Sequence, residues 1–393
     1  MDRRRIGLLT ASHFVNDIYA NCLIALLPFL ILSLGMTLPM AGLLVATLQM
    51  TSSVVQPLVG HLADRSGTRL FSIVGTAAVA TGMSCLAIAP SYGSLFFLLA
   101  MGGLGTACFH PQSAAMVNAL SGGRRGMTMS VYITAGNAGY AVGPAIVVAV
   151  VERLGLQWMP ALAFPGLISA VLLAKYAPSK WLLRPADSGG HPSLKQVLIN
   201  KWSVLTRLMG VATFRAVANI SVVTFLPLLL RGRGYPDQLW ATLLTVFLLS
   251  GTLGGLLGGY LSDFIGRRLV IVFSLVLSVP LLFAMLRLEG VALWMVTVLA
   301  GAAVLGSFSV LTIQAQEMLP HNVGMASGLV LGFSVGIGGV AMGPISLLAD
   351  RVGIPQTLDL LIFAPLVAAL FALTLVDRPK SAGGTAGVKV MPV

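Results

Sequence analysis

"GHLADRSGTR" at residues 60–69 returns as "GYLSDFIGRR" at residues 259–268. Gly60 and Gly259, Leu62 and Leu261, Asp64 and Asp263, Gly67 and Gly266, and Arg69 and Arg268 coincide at an offset of 199 residues. Further along, "GNAGYAVGPAI" with Gly143 and Pro144 is echoed by "GIGGVAMGPIS" with Gly343 and Pro344 at an offset of 200. Pro28 pairs with Pro227. Matches in separate stretches near one offset mean an internal duplication, so each half of the chain supplies half of the fold.

What the halves are made of follows from composition. Of 393 residues, 57% are hydrophobic and only 9% are charged, with a mean hydropathy of +0.93. A soluble domain carries about 25% charged residues. The values are those of a polytopic membrane protein. About 20 apolar residues cross the hydrocarbon core as a helix. With Gly, Pro and charged breaks as punctuation, as in "SLGMTLP", "APSYGS", "SGGRRG" and "RGRGYPD", twelve spans are expected. They lie near 6–34, 38–62, 70–89, 92–119, 126–150, 157–176, 204–230, 237–262, 269–286, 291–318, 324–349 and 354–376. The first begins like a signal peptide, "MDRRRIGLL", but runs on to about residue 34 through Asp17 without a small-residue cleavage site. It reads as a membrane helix. The expected fold is an all-α membrane protein of twelve transmembrane helices in two six-helix bundles related by a pseudo-twofold axis. The bundles are 1–176 and 204–376, joined by a polar cytoplasmic linker at 177–203 and followed by a tail at 377–393 that is expected to be disordered.

The net charge of +12 does not point to nucleic acid, because the basic residues sit in short loops between apolar runs instead of on one face. Most of the 24 Lys and Arg fall in alternate loops, on the side that also carries both termini. By the positive-inside rule that side is the cytoplasm, in a cell inner membrane. Cys22, Cys85 and Cys108 lie in apolar segments without metal-ligand or disulfide spacing. No GxxxxGK[ST] loop is present, which speaks against driving by ATP; no HExxH, GxSxG or paired-carboxylate pattern points to an enzyme. No cofactor or metal is expected. The expected partners are a small-molecule substrate, protons and the lipid bilayer, with a functional monomer.

"HFVNDIYAN" at residues 13–21 interrupts the first apolar run. His13, Asn16, Asp17 and Asn21 fall at i, i+3, i+4 and i+8, a single stripe on a helix. An intramembrane carboxylate with an imidazole one turn away is a candidate proton-coupling pair, and a buried hydrogen-bond network is the alternative. His110, in "FHPQS" beside Pro111, is a third candidate for proton transfer or substrate contact, or a satisfied bundle residue. Arg215 interrupts span 7 and aligns with Asn16 at the repeat offset. Its planar fork suits a phosphonate, phosphate or carboxylate; an ion pair with Asp17 and a snorkelling position are the alternatives. Candidate substrate-cavity residues are Asn16, Asn21, Gln49, Ser53, Gln56, Gln112, Asn137, Asn219 and Gln314. The Gln49, Ser52, Ser53 and Gln56 face of span 2 serves interhelical hydrogen bonding equally well. Gly251, Gly255 and Gly259 share a face of span 8 and are expected to allow close helix packing.

The repeated G-x-L-x-D-x-x-G-R/T-R loop resembles the signature loop of the major facilitator superfamily. The blocks "HFVNDIYANCLIALLPFL", "SSVVQPLVGHLADRSG", "GTACFHPQSAAMV", "GGRRGMTMSVY" and "GNAGYAVGP" resemble the fosmidomycin-resistance family of drug exporters. The resemblance implies a major facilitator fold working by alternating access. It implies that Gly60, Asp64, Arg65 and Arg69, with Asp263 and Arg268 in the repeat, latch the cytoplasmic side. It also implies that the glycine motif of span 5, ending in Gly143 and Pro144, serves antiport. The reading is proton-coupled antiport exporting a small anionic or zwitterionic drug or metabolite. An uptake symporter for an organic anion uses the same residues, and a non-transporting membrane receptor is the rival from another class.

Overall fold

The computed structural model describes residues 2–56, 58, 59, 62, 68–122, 125–178, 202–318 and 328–375. Its helices are α1 (Arg3–Leu34), α2 (Leu38–Val54), α3 (Leu70–Ile88), α4 (Tyr92–Leu120), α5 (Met127–Leu154), α6 (Leu156–Tyr176), α7 (Trp202–Gly232), α8 (Asp237–Ile265), α9 (Arg267–Met285), α10 (Gly290–Met318), α11 (Ser334–Val352) and α12 (Ile354–Leu373). Among the described residues, eleven are long and apolar enough to cross a membrane; α2 is shorter, and its expected continuation to residue 62 passes largely outside the described residues. Most of the 177–203 linker, the 377–393 tail, and Gly60, Asp64 and Arg65 also lie outside them. Ala177 does not belong to a free linker: it is buried and closes the last turn of α6 on Leu173.

The turn signals act as their chemistry requires. Gly35 ends α1 at φ +60°, and Thr37 accepts from the Met40 N–H to start α2. Ser91 and Ser94 form a reciprocal cap at the start of α4. Around the outside, Phe97, Leu253, Phe273 and Val291 stand open, an apolar belt that only lipid satisfies.

The duplication is visible in the packing. α1 packs on α5, α3 on α4 and on α6; in the second half α7 packs on α11, α9 on α10 and on α12. Between the halves α2 lies against α11 and α5 against α8, which is one contact repeated by the pseudo-twofold axis. Close approach depends on particular glycines. A Cβ on Gly139 would strike the Phe14 carbonyl, and one on Gly143 the Ile18 carbonyl, so α5 touches α1 backbone to backbone. On α8 the packed face differs from the expected one. Gly251, Gly254 and Gly258 meet Leu305, Ala302 and Gly306 of α10, whereas Gly255 makes only ordinary contact and Gly259 faces open space. The face is set by spacing 3 and 4, not by 4 and 4, because the contact follows the helix period of 3.6. In α11, Gly336 and Gly339 press on Val54 and Gln49 of α2, while Gly343 is open.

The buried core is one cluster where the chain ends are far away and two clusters where they are near. On the face opposite the termini, α1 residues such as Leu27 and Leu30 share a core with Phe225, Trp240 and Phe247 of the second half. On the terminal face Leu9, Phe109, Met116 and Leu173 form one cluster, and Leu208, Ile271, Val310 and Ala368 form another. Polar ties reinforce the shared side. Arg231 pairs with Asp237 at 3.3 Å and lies 4.6 Å over the Phe29 ring, and Glu152 accepts from the Gln238 N–H. The halves are therefore joined at the opposite face and separately packed at the terminal face.

Gly139→Ala is expected to destabilise the detergent-solubilised protein by about 1–3 kcal/mol through overpacking against backbone, while Gly259→Ala stays within about 0.5 kcal/mol of wild type. Thermal unfolding of the two variants side by side checks this; equal midpoints would mean that α1 and α5 are not held this close.

Candidate functional site

The α1 stripe does not line an opening. Asn16 and Asn21 are fully buried and His13 and Asp17 nearly so, turned toward α4 and α5. The other face of α1 (Gly7, Ala11, Phe14 and Val15) borders a groove of about 530 Å³ with Val131 and Ala135 of α5. Its walls are apolar, with Arg3 at one end. The polar groups turn inward because α4 and α5 offer partners and lipid or an apolar groove does not.

There they assemble around Asp17. His13 Nε2 lies 3.2 Å from one carboxylate oxygen, and His110 Nε2, from α4, lies 2.8 Å from the other. Asn16 Nδ2 donates to that second oxygen at 3.2 Å. His13 Nδ1 sits 2.8 Å from the Tyr132 carbonyl of α5, and its ring stacks on the Tyr132 ring at 4.1 Å. The Tyr132 hydroxyl is hydrogen-bonded to Ser113, three residues beyond His110. Gly136 makes room for all this: a Cβ there would strike the His13 ring and reach 2.8 Å from Asp17. The His13 and Asp17 side chains are 10% and 11% exposed and that of His110 is 25% exposed, so His110 is the most exposed member of the cluster. Two imidazoles and a carboxylate whose ligand atoms lie within 4.8 Å of one another are also a set that binds divalent metals. Ligand atoms around a tetrahedral zinc stand about 3.3 Å apart. The 2.8 Å contact between His110 and Asp17 has the length of a hydrogen bond.

Other candidates divide sharply. Gln112 accepts from the Ser72 N–H and hydroxyl at 2.6 and 2.8 Å and donates to the Thr68 carbonyl, so it clamps α4 to the start of α3 and is not free for substrate. Asn21 donates to the Tyr140 carbonyl at 2.9 Å, tying α1 to α5 where α1 is interrupted. Ser53 donates to Gln49, Gln49 lies against Gly339 of α11, and Gln56 lies against Gly332 just before it, so the α2 face is an interhelical contact between the halves. Asn137 is half-buried on α5. The Met50–Val54 and Gly328–Phe333 segments, both π-helical, meet at this contact.

In the second half Arg215 is buried and meets no carboxylate among the described residues. Its guanidinium lies 4.7 Å over the Phe308 ring of α10, and its Nε has no hydrogen-bond partner. Neither an ion pair with Asp17 nor snorkelling describes it. Asn219 Oδ1, one turn along α7, is equally unpartnered, as are the Ser307 hydroxyl and both amide atoms of Gln314 on α10. Buried polar atoms are normally satisfied. Among the described residues, α7 and α10 together hold several such unpartnered atoms.

Of the latch residues, Arg69 donates to the Ala177 carbonyl at 2.5 Å. In the repeat Asp263 pairs with Arg267, at 2.7 Å, and Arg267 also reaches Glu317 at 3.2 Å. Pro144 is buried within α5. Tyr132, Phe308 and Arg267 were not anticipated; their roles depend on a carbonyl, a ring face and a neighbour's register, none of which leaves a polar anomaly in the sequence.

The model of the Major Facilitator Superfamily matches residues 9–341. The chain belongs to that superfamily. The Fosmidomycin resistance protein of Escherichia coli is 29% identical over 95% of this major facilitator and 93% of its own length. The uncharacterized MFS-type transporter YfnC of Bacillus subtilis is 29% identical over 94% and 92%. The Quinolone resistance protein NorA of Staphylococcus aureus is 24% identical over about half of each chain, 51% and 52%. Among solved structures, a bacterial homolog of the lysosomal transporter Spinster, inward-facing and unoccupied, superposes with a TM-score of 0.78 at 14% identity, covering 94% of this chain and 96% of that one. The nucleoside transporter NupG gives 0.78 at 13%, covering 94% and 98%. The family and fold point away from an enzyme, and this major facilitator is a multi-pass membrane transporter.

Arg215→Met is expected to raise the thermal stability of the transporter by about 1–3 kcal/mol, because a buried charge with no counter-ion among the described residues is replaced by an apolar chain of similar length. A fall in the unfolding midpoint would show that Arg215 is structural.

Proposed function

We propose that this major facilitator is a proton-coupled antiporter that exports a small anionic or zwitterionic compound from the cytoplasm. The observation that carries the reading is the His13–Asp17–His110 cluster: an intramembrane carboxylate held by two imidazoles, one of them partly open. Arg215, with Asn219 and Gln314, is the substrate side, because a desolvated guanidinium without a counter-ion among the described residues favours an anion. The names of its relatives, a fosmidomycin and a quinolone resistance protein, support export of a drug. The concentration of Lys and Arg places the terminal face in the cytoplasm, with both chain ends there. With the halves joined at the other face, this conformation is then open inward. Asp64, Arg65, Arg69 and the Asp263–Arg267–Glu317 group close that face in the alternate state. The transporter works as a monomer in the inner membrane.

The triad lies on α1 and α4, against α5, and Arg215 on α7 lies against α10. Proton and substrate therefore do not compete for one group. They are linked through the rocking of one half on the other.

The test uses purified protein in liposomes with an imposed pH gradient and a lumenal pH dye. Phosphonates, carboxylates and cationic dyes are added outside, with wild type and Asp17→Asn. An anion that dissipates an inside-acid gradient through wild type but not through Asp17→Asn establishes antiport and names the substrate class. An anion that instead dissipates an outside-acid gradient identifies symport, and identical behaviour of the two proteins removes Asp17 from coupling.

A further inference from the structure

A carbonyl oxygen can only accept a hydrogen bond. The 2.8 Å contact between His13 Nδ1 and the Tyr132 carbonyl therefore places a hydrogen on Nδ1. A neutral imidazole has one N–H, and this one is committed. Yet Nε2 of the same ring lies 3.2 Å from an Asp17 oxygen. With neutral His13 and ionised Asp17, a nitrogen lone pair would face a carboxylate lone pair in a nearly dry site. The second contact, His110 Nε2 to the other oxygen at 2.8 Å, has no such conflict, since neutral His110 donates from Nε2. The cluster thus has three hydrogen-bonding contacts and only two protons from neutral rings.

Resting on the proton-coupled reading above, we propose that the His13–Asp17 contact stores one transportable proton, that this conformation is the loaded one, and that His110 is the group through which the proton exchanges with water. The Tyr132 carbonyl is the positioning group that creates the store by fixing the His13 tautomer. Loaded, the cluster is electrically neutral, as burial favours; unloaded, it carries one negative charge and a lone-pair conflict at 3.2 Å. On loading, His110 takes a proton from water at Nδ1 and passes its Nε2 hydrogen to Asp17, which passes a proton on to Nε2 of His13; His110 then returns to the Nε2 tautomer by giving its Nδ1 hydrogen to water and taking one at Nε2, and unloading reverses these steps. Among the described residues, the other titratable groups on α1, α4 and α5 nearest this cluster in the chain are Tyr19 and Cys22 on α1, Cys108 on α4, and Tyr132 and Tyr140 on α5; none has a hydrogen bond or ion pair with Asp17 among the described contacts. The Tyr132 hydroxyl is held by Ser113 and Tyr19 donates to the Leu162 carbonyl, so neither reaches Asp17. α6 meets α1 through Ser169 and Ser12.

The measurement is magnetic resonance on substrate-free protein labelled with 15N-histidine and with 13C at Asp carboxyls. Loss of signals in His13→Gln and His110→Gln assigns two of the five histidines. In wild type at neutral pH, His13 is expected to carry a proton on Nδ1, with one further proton on Nε2 or on the Asp17 carboxyl, and His110 a proton on Nε2 alone. In Asp17→Asn the further proton is lost while Nδ1 stays protonated. In His110→Gln, exchange of the stored proton with solvent slows by about a hundredfold. A bare Nδ1 on His13, or a neutral His13 facing an ionised Asp17, overturns the store; unchanged exchange in His110→Gln overturns its exit. Because wild type alone decides the first point, a variant that fails to fold leaves the proposal testable. The readout needs no substrate. An intact stored proton without coupled transport in liposomes would fault the antiport reading, and coupled transport with a neutral His13 would fault this one.

Discussion

α1 and α5 touch backbone to backbone, and the polar chemistry of the first half depends on that contact. Gly139 and Gly143 bring α5 onto the carbonyls of Phe14 and Ile18, and Gly136 leaves space for the His13 ring beside Asp17. Only at this separation does the Tyr132 carbonyl reach His13 and the Tyr140 carbonyl reach Asn21. In hydrocarbon a backbone carbonyl turned to a side-chain donor is one of the few partners on offer. The glycine stripe is thus also what satisfies the polar stripe of α1.

The two halves descend from one unit and hold different side-chain chemistry at matching positions. At the repeat offset the places of His13 and Asp17 are held by Ala212 and Ala216, while Asn16 is matched by Arg215. The first half holds a nearly satisfied hydrogen-bond network around an acid. The second holds a cation over an aromatic ring and, among the described residues, several buried polar atoms with no partner. A site that is complete by itself suits a small constant ligand such as a proton. A site left incomplete suits a solute that brings its own oxygen atoms.

The fold could be read almost entirely from the duplicated loop and the apolar runs, because membrane helices announce themselves by length and composition. The residues of the site could be read individually and not as groups. Asp17, His13, His110 and Arg215 each stand out as polarity in an apolar run, but 93 residues separate His110 from Asp17 and no spacing says that they meet. Direction was the weak point. The α1 stripe was expected to face a cavity and faces its own bundle, because helix periodicity shows which residues share a face and not what that face touches. Gln112 stands out in the same way as His110, yet it is fully used in holding α3. Arg267 and Arg268 are identical side chains one residue apart, and only the rotation of α9 brings Arg267 to Asp263 and Glu317.

The division of the core into one shared cluster and two separate ones has a mechanical meaning. Leu27, Leu30, Phe225 and Trp240 are in contact with the other half only while that face is shut. In the alternating-access cycle proposed above, this apolar seam parts and an equivalent seam forms at the terminal face, so the two seams act as opposing springs around the contact of α2 with α11. The stiffer spring sets the resting posture of an empty transporter. Side chains in the seam, far from Asp17 and Arg215 and touching neither ligand, thereby govern how long the transporter waits on each side of the membrane.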